Sequence, residues 1–406
     1  MSSSTLHGRA PVAAAVFCLG VGMLAGAWDA RLGTGALEHA RFAQVLAEAA
    51  LLVCLFGTGL RISTPLELAA WRVPLRLTLV TLPVTIGLIA GAADVFLGLP
   101  FPQALLLGAI LAPTDPVLAF DLGTPGSEGA SAVRFALTAE GALTSSLALP
   151  AVLFGLGLCG QHDLGPLALR WLTLDLAWAL AAGAVLGWVL GALAAQALGR
   201  LDSRGGAGQL GLTEIALVAT LLAFTYGASA LAHANGFIAV LAAGIALANG
   251  GAPWPRSAPR WPRVRPHAGR TRALASLAAR VERLAWLAMV IVLGALLTVA
   301  KVRPALILFA LLVLVAIRPL AALLGMGAAR GSQLERQLIA WFGLRGVASL
   351  YCVMLAVGEG LATPVATELT AITLGVLATS IALHGLTALP LGGRPADQQG
   401  SDSRLQ

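Results

Sequence analysis

Of the chain's 406 residues, 58% are hydrophobic and only 11% are charged, and the mean hydropathy is +0.86. A soluble domain carries roughly a quarter charged residues, so this composition excludes an ordinary soluble protein and describes a polytopic membrane protein. At about 20 residues per span the length holds about a dozen helices joined by short loops.

The net charge of +7 does not by itself point to nucleic acid. The basic residues, all arginine except Lys301, fall mostly in loops, where they set topology. Cys18, Cys54, Cys159 and Cys352 are scattered, with no CxxC and no Cys/His cluster, so neither a disulfide framework nor a zinc site is suggested. No nucleotide loop, HExxH or GxSxG motif is present, so membrane-enzyme chemistry and a bound cofactor are not indicated.

Taken in order, the apolar segments predict spans over about 11–28, 43–60, 74–98, 101–120, 133–158, 171–199, 211–232, 234–249, 281–299, 304–325, 334–357 and 365–391. The first is expected to be a retained helix, although Ala25-Gly26-Ala27 resembles a leader-cleavage site. Residues 1–10 form a short polar N-terminus. The stretch 250–275, rich in Pro, Arg and Trp, is expected to be a linker between two halves of one membrane domain over 11–391. Residues 392–406 are polar and read as a disordered tail. With an even number of spans, most arginines, including Arg61, Arg72, Arg76, Arg200 and Arg204, share one side. Arg31, Arg41, Arg170, Lys301 and Arg303 lie on the other. The positive-inside rule then puts both termini in the cytoplasm.

Within the fourth span, Leu111-Ala112-Pro113-Thr114-Asp115-Pro116-Val117 sets a hydroxyl and a carboxylate between two prolines. Pro116 cannot continue a helix undisturbed, and an ionised acid at mid-membrane costs on the order of a few kcal/mol. A broken helix bearing an acid at membrane depth is a way to build an ion site. The plainer alternative is a kinked span whose Asp does nothing.

Glu140 lies inside the fifth span, followed at one helical turn by Thr144, Ser145 and Ser146. Hydroxyls in such positions also often bond their own helix backbone. In the eleventh span Gly343-Leu344-Arg345-Gly346 places a permanently charged guanidinium between glycines. It needs an anionic partner, for which Glu140 and Asp115 are the candidates. The fourth and eleventh spans thus read as two interrupted helices in corresponding halves. Arg318 precedes Pro319 and is assigned no role beyond the lipid–water boundary. Glu48, Asp175 and Glu214 are further acids within apolar segments. His233 and His384 read as loop or interface residues rather than proton relays.

Three segments in this order resemble the monovalent cation:proton antiporter superfamily, the branch of bacterial sodium/proton antiporters and sodium/hydrogen exchangers. They are Ala112–Val117, Arg134–Ser146 and Phe342–Ser349, with weaker likeness around Gly227–Gly244 and Glu282–Leu297. The resemblance spans most of residues 11–390. It implies an all-α fold of about twelve transmembrane helices with inverted repeats and two interrupted helices crossing at mid-membrane, working by alternating access. It also implies a homodimer in the bacterial inner membrane.

Carried over by residue, Thr114 and Asp115 are the Thr-Asp of the first crossing, and Glu140 is the acid that pairs with an arginine, here Arg345. The branch usually has Asn-Asp where this chain has Thr144-Ser145, and that Asp is the family's cation-binding carboxylate. Ser145 offers one neutral oxygen, so a bare cation loses a formal counter-charge there.

The resemblance therefore implies exchange of Na⁺ or K⁺ for H⁺, with Asp115, Glu140 and Arg345 as working residues. Thr114, Asp115, Thr144 and Ser145 are then the cation ligands, with no cofactor and no nucleic-acid partner. Transport-deficient regulatory or partner-binding use of the scaffold is one alternative. A channel, or a carrier of another solute, is another.

Overall fold

The computed structural model describes residues 10–28, 40–62, 68–115, 128–202, 211–250, 268–298, 304–327 and 333–391. The expected N-terminal segment 1–9, the second arm of the fourth span (116–120), most of the 250–275 linker and the tail 392–406 lie outside these residues. The described chain is all helical, and seven of its helices are long and apolar enough to cross a membrane by themselves. In lipid every backbone polar group must be satisfied within the protein, and a helix does this internally.

The helices are α1 (Ala10–Trp28) and α2 (Ala40–Arg61), then α3, which runs Leu68–Arg76, a wider π-turn at Leu77–Thr81, and Leu82–Leu97. They continue with α4 (Phe101–Leu111), α5 (Glu128–Leu158), α6 (a π-type stretch Trp171–Trp178, then Ala179–Asp202), α7 (Leu212–Leu231), α8 (Gly236–Ala248) and α9 (Ala268–Leu297). Next comes α10, running Pro304–Leu311, a π-turn Leu312–Ile317 and Arg318–Met326. Last are α11 (Gln333–Trp341), α12 (Val347–Gly358) and α13 (Thr363–Leu391).

Each of the twelve expected spans contains a helix, and the chain leaves helical structure at both expected breaks. The fourth span stops at Leu111 instead of running on as one helix, and the eleventh divides into α11 and α12 around 342–346. Among the helices that begin earlier than the apolar pattern suggests are α5 at Glu128 and α9 at Ala268. Their polar first turns extend the helix beyond the apolar part, which hydropathy alone does not register.

A single order of features occurs twice. A helix with an internal π-turn (α3, α10) precedes a broken helix (α4, then α11 and α12), and a long helix follows (α5, α13). The two π-turn helices pack on each other, with Thr81 Oγ1 donating to the carbonyl of Ala321 at 3.2 Å. A π-turn inserts an extra residue and rotates the side chains that follow it. In α10 the residue that immediately follows is Arg318.

Elsewhere small residues set the spacing. Along α6, Gly183, Gly187 and Gly191 lie against the carbonyls of Asn235, Ala239 and Ala243, with no room for a Cβ. Without a hydrophobic force between helices in lipid, such close backbone contact is a main source of association. The paired α1 and α9 repeat the device at Gly22 and Gly294. A buried ion pair joins α2 to α9: Arg61 Nη1 lies 2.5 Å from Glu282 Oε2, and Arg61 Nη2 donates to Glu282 Oε1 at 2.9 Å.

Gly187→Leu is expected to lower stability by at least about 1–3 kcal/mol, because the α6–α8 backbones must separate. Gly91→Leu on α3, where a side chain meets open space, is the control and should leave the melting temperature nearly unchanged. Detergent-solubilised thermal unfolding of the two variants checks this.

Candidate functional site

The break after α4 and the break between α11 and α12 meet each other in the bundle interior. The backbone N–H of Asp115 donates to the carbonyl of Leu344 at 2.8 Å, tying the two unwound segments directly. Each segment leaves helix ends with unsatisfied groups, and the charged side chains are placed on them. Asp115 Oδ2 accepts from the N–H of Val347, the first residue of α12, at 3.4 Å. A carboxylate therefore stands at the positive end of that helix. Arg345 Nη1 donates to the carbonyls of Ala112 and Pro113, the latter at 3.1 Å, where α4 ends. A cation therefore stands at the negative end. The sequence achieves this reciprocity by putting an acid in one break and a guanidinium in the other.

Two glycines make room for it. A Cβ at Gly346 would fall on the Asp115 carboxylate, and one at Gly343 would fall on Nε of Arg318. Arg318 thus runs past the second break, only 2% exposed, to Glu140 on α5. Its Nη2 donates to Glu140 Oε2 at 3.0 Å. Its Nη1 lies 2.8 Å from Oε1, within charge-pairing distance though not aligned as a hydrogen bond.

This corrects two expectations. Glu140 pairs with Arg318, not with Arg345, and Arg318 is a central residue rather than a boundary one. The reason is tertiary: the π-turn at Leu312–Ile317 and the missing side chain at Gly343 let α10 deliver its guanidinium inward. Arg345 meanwhile satisfies backbone carbonyls of the other break.

The hydroxyls divide between the two roles foreseen for them. Ser146 Oγ donates to the carbonyl of Ala142, its own helix backbone, at 2.8 Å. Ser145 Oγ instead reaches out of α5 to the carbonyl of Thr114 at 3.0 Å. Thr144 Oγ1 accepts from the N–H of Thr114 at 3.3 Å and shares a hydrogen bond with Thr114 Oγ1 at 3.2 Å. It also donates back to the carbonyl of Gly141 at 3.3 Å. Thr114, Asp115, Thr144 and Ser145 therefore come together, all buried, at the crossing. They supply carboxylate, hydroxyl and carbonyl oxygens, the donor chemistry that hard monovalent cations take.

Charge decides what this site can hold. Asp115 and Glu140 oppose Arg318 and Arg345, each with no more than 5% of its surface exposed. Formally the four cancel. Apolar residues close one flank: a cavity of about 20 Å³ beside Arg345 and Gly346 is lined by Trp286, Met289, Val290 and Leu293 of α9, among others. That volume is about what one water-sized species needs.

Supports missed from the sequence lie around the crossing. Asn235, in the turn between α7 and α8, caps α8 by accepting from Phe237 N and Ile238 N at 3.0 and 3.2 Å. Its Nδ2 donates to the Ser146 carbonyl at 2.8 Å. The signal is an N-cap residue before Gly236. Ser380 on α13 accepts from the backbone N–H of Arg345 at 3.2 Å; nothing in the local sequence distinguishes it. His233 sits in the α7–α8 turn at φ +50°, as a loop residue. Asp175 is partly buried and meets His162 at 3.0 Å, away from the crossing. Glu48 on α2 accepts from the hydroxyl of Tyr226 on α7.

The architecture is that of an integral membrane transporter: an all-helical bundle whose two interrupted helices cross around buried charges. A model of the family described as "Sodium/hydrogen exchanger, transmembrane" matches residues 2–392, and the chain belongs to that family. The fold is similar to that of the sodium proton antiporter MjNhaP1 from Methanocaldococcus jannaschii at pH 8. The TM-score is 0.65 at 20% identity, over 91% of this chain and 92% of that one. An electron-microscopy structure of the same antiporter gives a TM-score of 0.64 at 20% identity, over 89% of this chain and 87% of that one. In sequence, 150 residues are 30% identical to Na(+)/H(+) antiporter 2 of Zygosaccharomyces rouxii. That stretch is 35% of this chain and 18% of the yeast protein.

The Glu140–Arg318 pair makes a testable statement. Glu140→Ala and Arg318→Ala should each destabilise by about 3–5 kcal/mol, because each leaves a buried charge unpaired. The coupling energy from a double-mutant cycle should be large for Glu140 with Arg318 and markedly smaller for Glu140 with Arg345. Unfolding measurements on the two cycles decide between the pairings.

Proposed function

We propose that this protein exchanges a monovalent cation, Na⁺ or K⁺, for H⁺ by alternating access, and that Asp115 alone performs the exchange. The supporting observation is that the crossing of the two breaks carries both the Asp115 carboxylate, at the start of α12, and the buried hydroxyls of Thr114, Thr144 and Ser145. Glu140 is committed to Arg318, which leaves Asp115 as the carboxylate able to hold either a proton or the cation. On this reading Ser145 stands where relatives carry the cation-binding aspartate, and hydroxyl oxygens fill in for it.

The charge balance has a consequence for coupling. A protonated Asp115, or an ionised Asp115 holding a cation, leaves the site with the same formal charge. The exchange is then one for one and electroneutral. The empty site with Asp115 ionised is formally neutral, so electrostatics does little to hinder its return across the membrane. Loose coupling follows, because burying an uncompensated charge is the usual barrier against an empty return.

A second reading, a transport-silent scaffold that serves regulation or partner binding, is favoured by one observation. Ser145, Thr144 and Thr114 already bond one another and the break, and the charges balance without a guest. The positive-inside distribution of arginines supports cytoplasmic termini in a bacterial inner membrane. The family resemblance supports a homodimer.

Proton flux driven by Na⁺, K⁺ or Li⁺ gradients in proteoliposomes tests the proposal. The parent is expected to exchange, Asp115→Asn to fall to background, and Ser145→Asp to raise the number of protons moved per cation. Full exchange by Asp115→Asn would end the assignment. A silent parent with an active Ser145→Asp variant would establish the second reading.

A further inference from the structure

The second break is held from the side by α13, and the residue that holds it is titratable. His384 is buried, 3% exposed, one turn beyond Ser380. Its Nε2 lies 3.2 Å from the carbonyl of Trp341, the last residue of α11. Its Nδ1 lies 3.0 Å from the carbonyl of Ser380 and 3.4 Å from the Ser380 hydroxyl. That hydroxyl in turn accepts from the backbone N–H of Arg345. The imidazole also packs against the Trp341 ring, with centroids 5.8 Å apart.

Both ring nitrogens therefore face a carbonyl oxygen. A neutral imidazole has one N–H and can donate to only one of them; an imidazolium donates to both. Among the described residues, the charged groups that bear on His384 are Arg345 from the break and Arg318 from α10. Arg318 carries Glu140 as its counter-ion.

We propose that His384 is a proton-sensing positioning residue of the exchange site, whose protonation clamps the chain break carrying Arg345 and so opposes cation exchange at acidic pH. Two effects act in the same direction. The second hydrogen bond fixes the end of α11 to α13, restraining the segment 342–346 that lines the crossing. The added positive charge also falls beside two guanidiniums in a site whose four charges already cancel, and it competes with the cation drawn to Asp115. His384 touches neither cation nor Asp115; it acts through the break. The inference rests on the exchange reading for its functional consequence but not for the clamp itself.

The test uses the full-length protein and His384→Leu, which has no donor for the Trp341 carbonyl at any pH. Cation-driven proton flux is measured from about pH 5 to 8.5, the range where histidine titrates. The variant is expected to keep the parent's maximal rate while the acid limb of its profile moves down by about one pH unit, a tenfold change in proton sensitivity. An unshifted profile would overturn the proposal.

A readout independent of transport separates this from the exchange assignment. Amide hydrogen exchange of residues 342–347 is compared between parent and variant at the same pH, which cancels the intrinsic pH dependence. The parent should be several-fold better protected at about pH 5.5 and equal at about pH 8. Equal protection at both values would overturn the clamp. pH-dependent protection in a parent that shows no flux would keep the clamp and refute exchange. His384→Phe serves in both measurements if the leucine variant does not fold.

Discussion

Four buried charges at the crossing of two broken helices are the constraint on which the rest of this structure depends. In lipid an unmatched charge costs several kcal/mol, and unwound backbone is tolerated only where its polar groups find partners. The chain meets both demands with the same residues. Asp115 stands at the start of α12 and Arg345 at the end of α4, so each half-helix dipole meets a charge of opposite sign. Glu140 and Arg318 then neutralise each other beside them.

The surrounding helices are best understood as what makes that arrangement possible. The π-turn in α10 aims Arg318 inward, and Gly343 and Gly346 clear the space it and Asp115 occupy. Asn235 ties the α7–α8 turn to α5 through the Ser146 carbonyl, and α13 fixes the second break through Ser380 and His384. Further out, glycine contacts between α6 and α8 and the Arg61–Glu282 pair between α2 and α9 supply rigidity. The interior is therefore closely supported around a segment that cannot be regular helix.

The same arrangement shapes the proposed chemistry. In the proposed site, with balanced charges and Asp115 as the exchanging carboxylate, a cation is bound by neutral oxygens more than by formal charge. Serine at position 145 holds the Thr114 carbonyl instead of presenting a second acid. Selectivity then depends on how well hydroxyl and carbonyl oxygens fit the ion, and coupling depends on the energetic distance between empty and loaded states. Proton sensitivity gains weight at a neighbouring group such as His384, because fewer acids share the work.

Much of this was legible from composition and motif. Twelve apolar segments, the Pro-Thr-Asp-Pro break, the glycine-flanked arginine and the hydroxyls after Glu140 determined an all-helical membrane bundle with two interrupted helices. They also pointed to several residues near their crossing, though not to Arg318. Those are local facts, set by hydropathy, by what proline forbids and by spacing along one helix. The partner of Glu140 was decided only in three dimensions. Arg318 and Arg345 are both lone cations in apolar segments, and the pattern around them does not say which one meets Glu140. The π-turn that rotates α10 and the absent Cβ at Gly343 decide which guanidinium arrives. So too with His384: nothing in its neighbours, Leu383 and Gly385, marks it, and the role proposed for it comes from the carbonyl of a residue 43 positions away. Pairing across helices depends on rotation and approach, which a linear pattern does not encode.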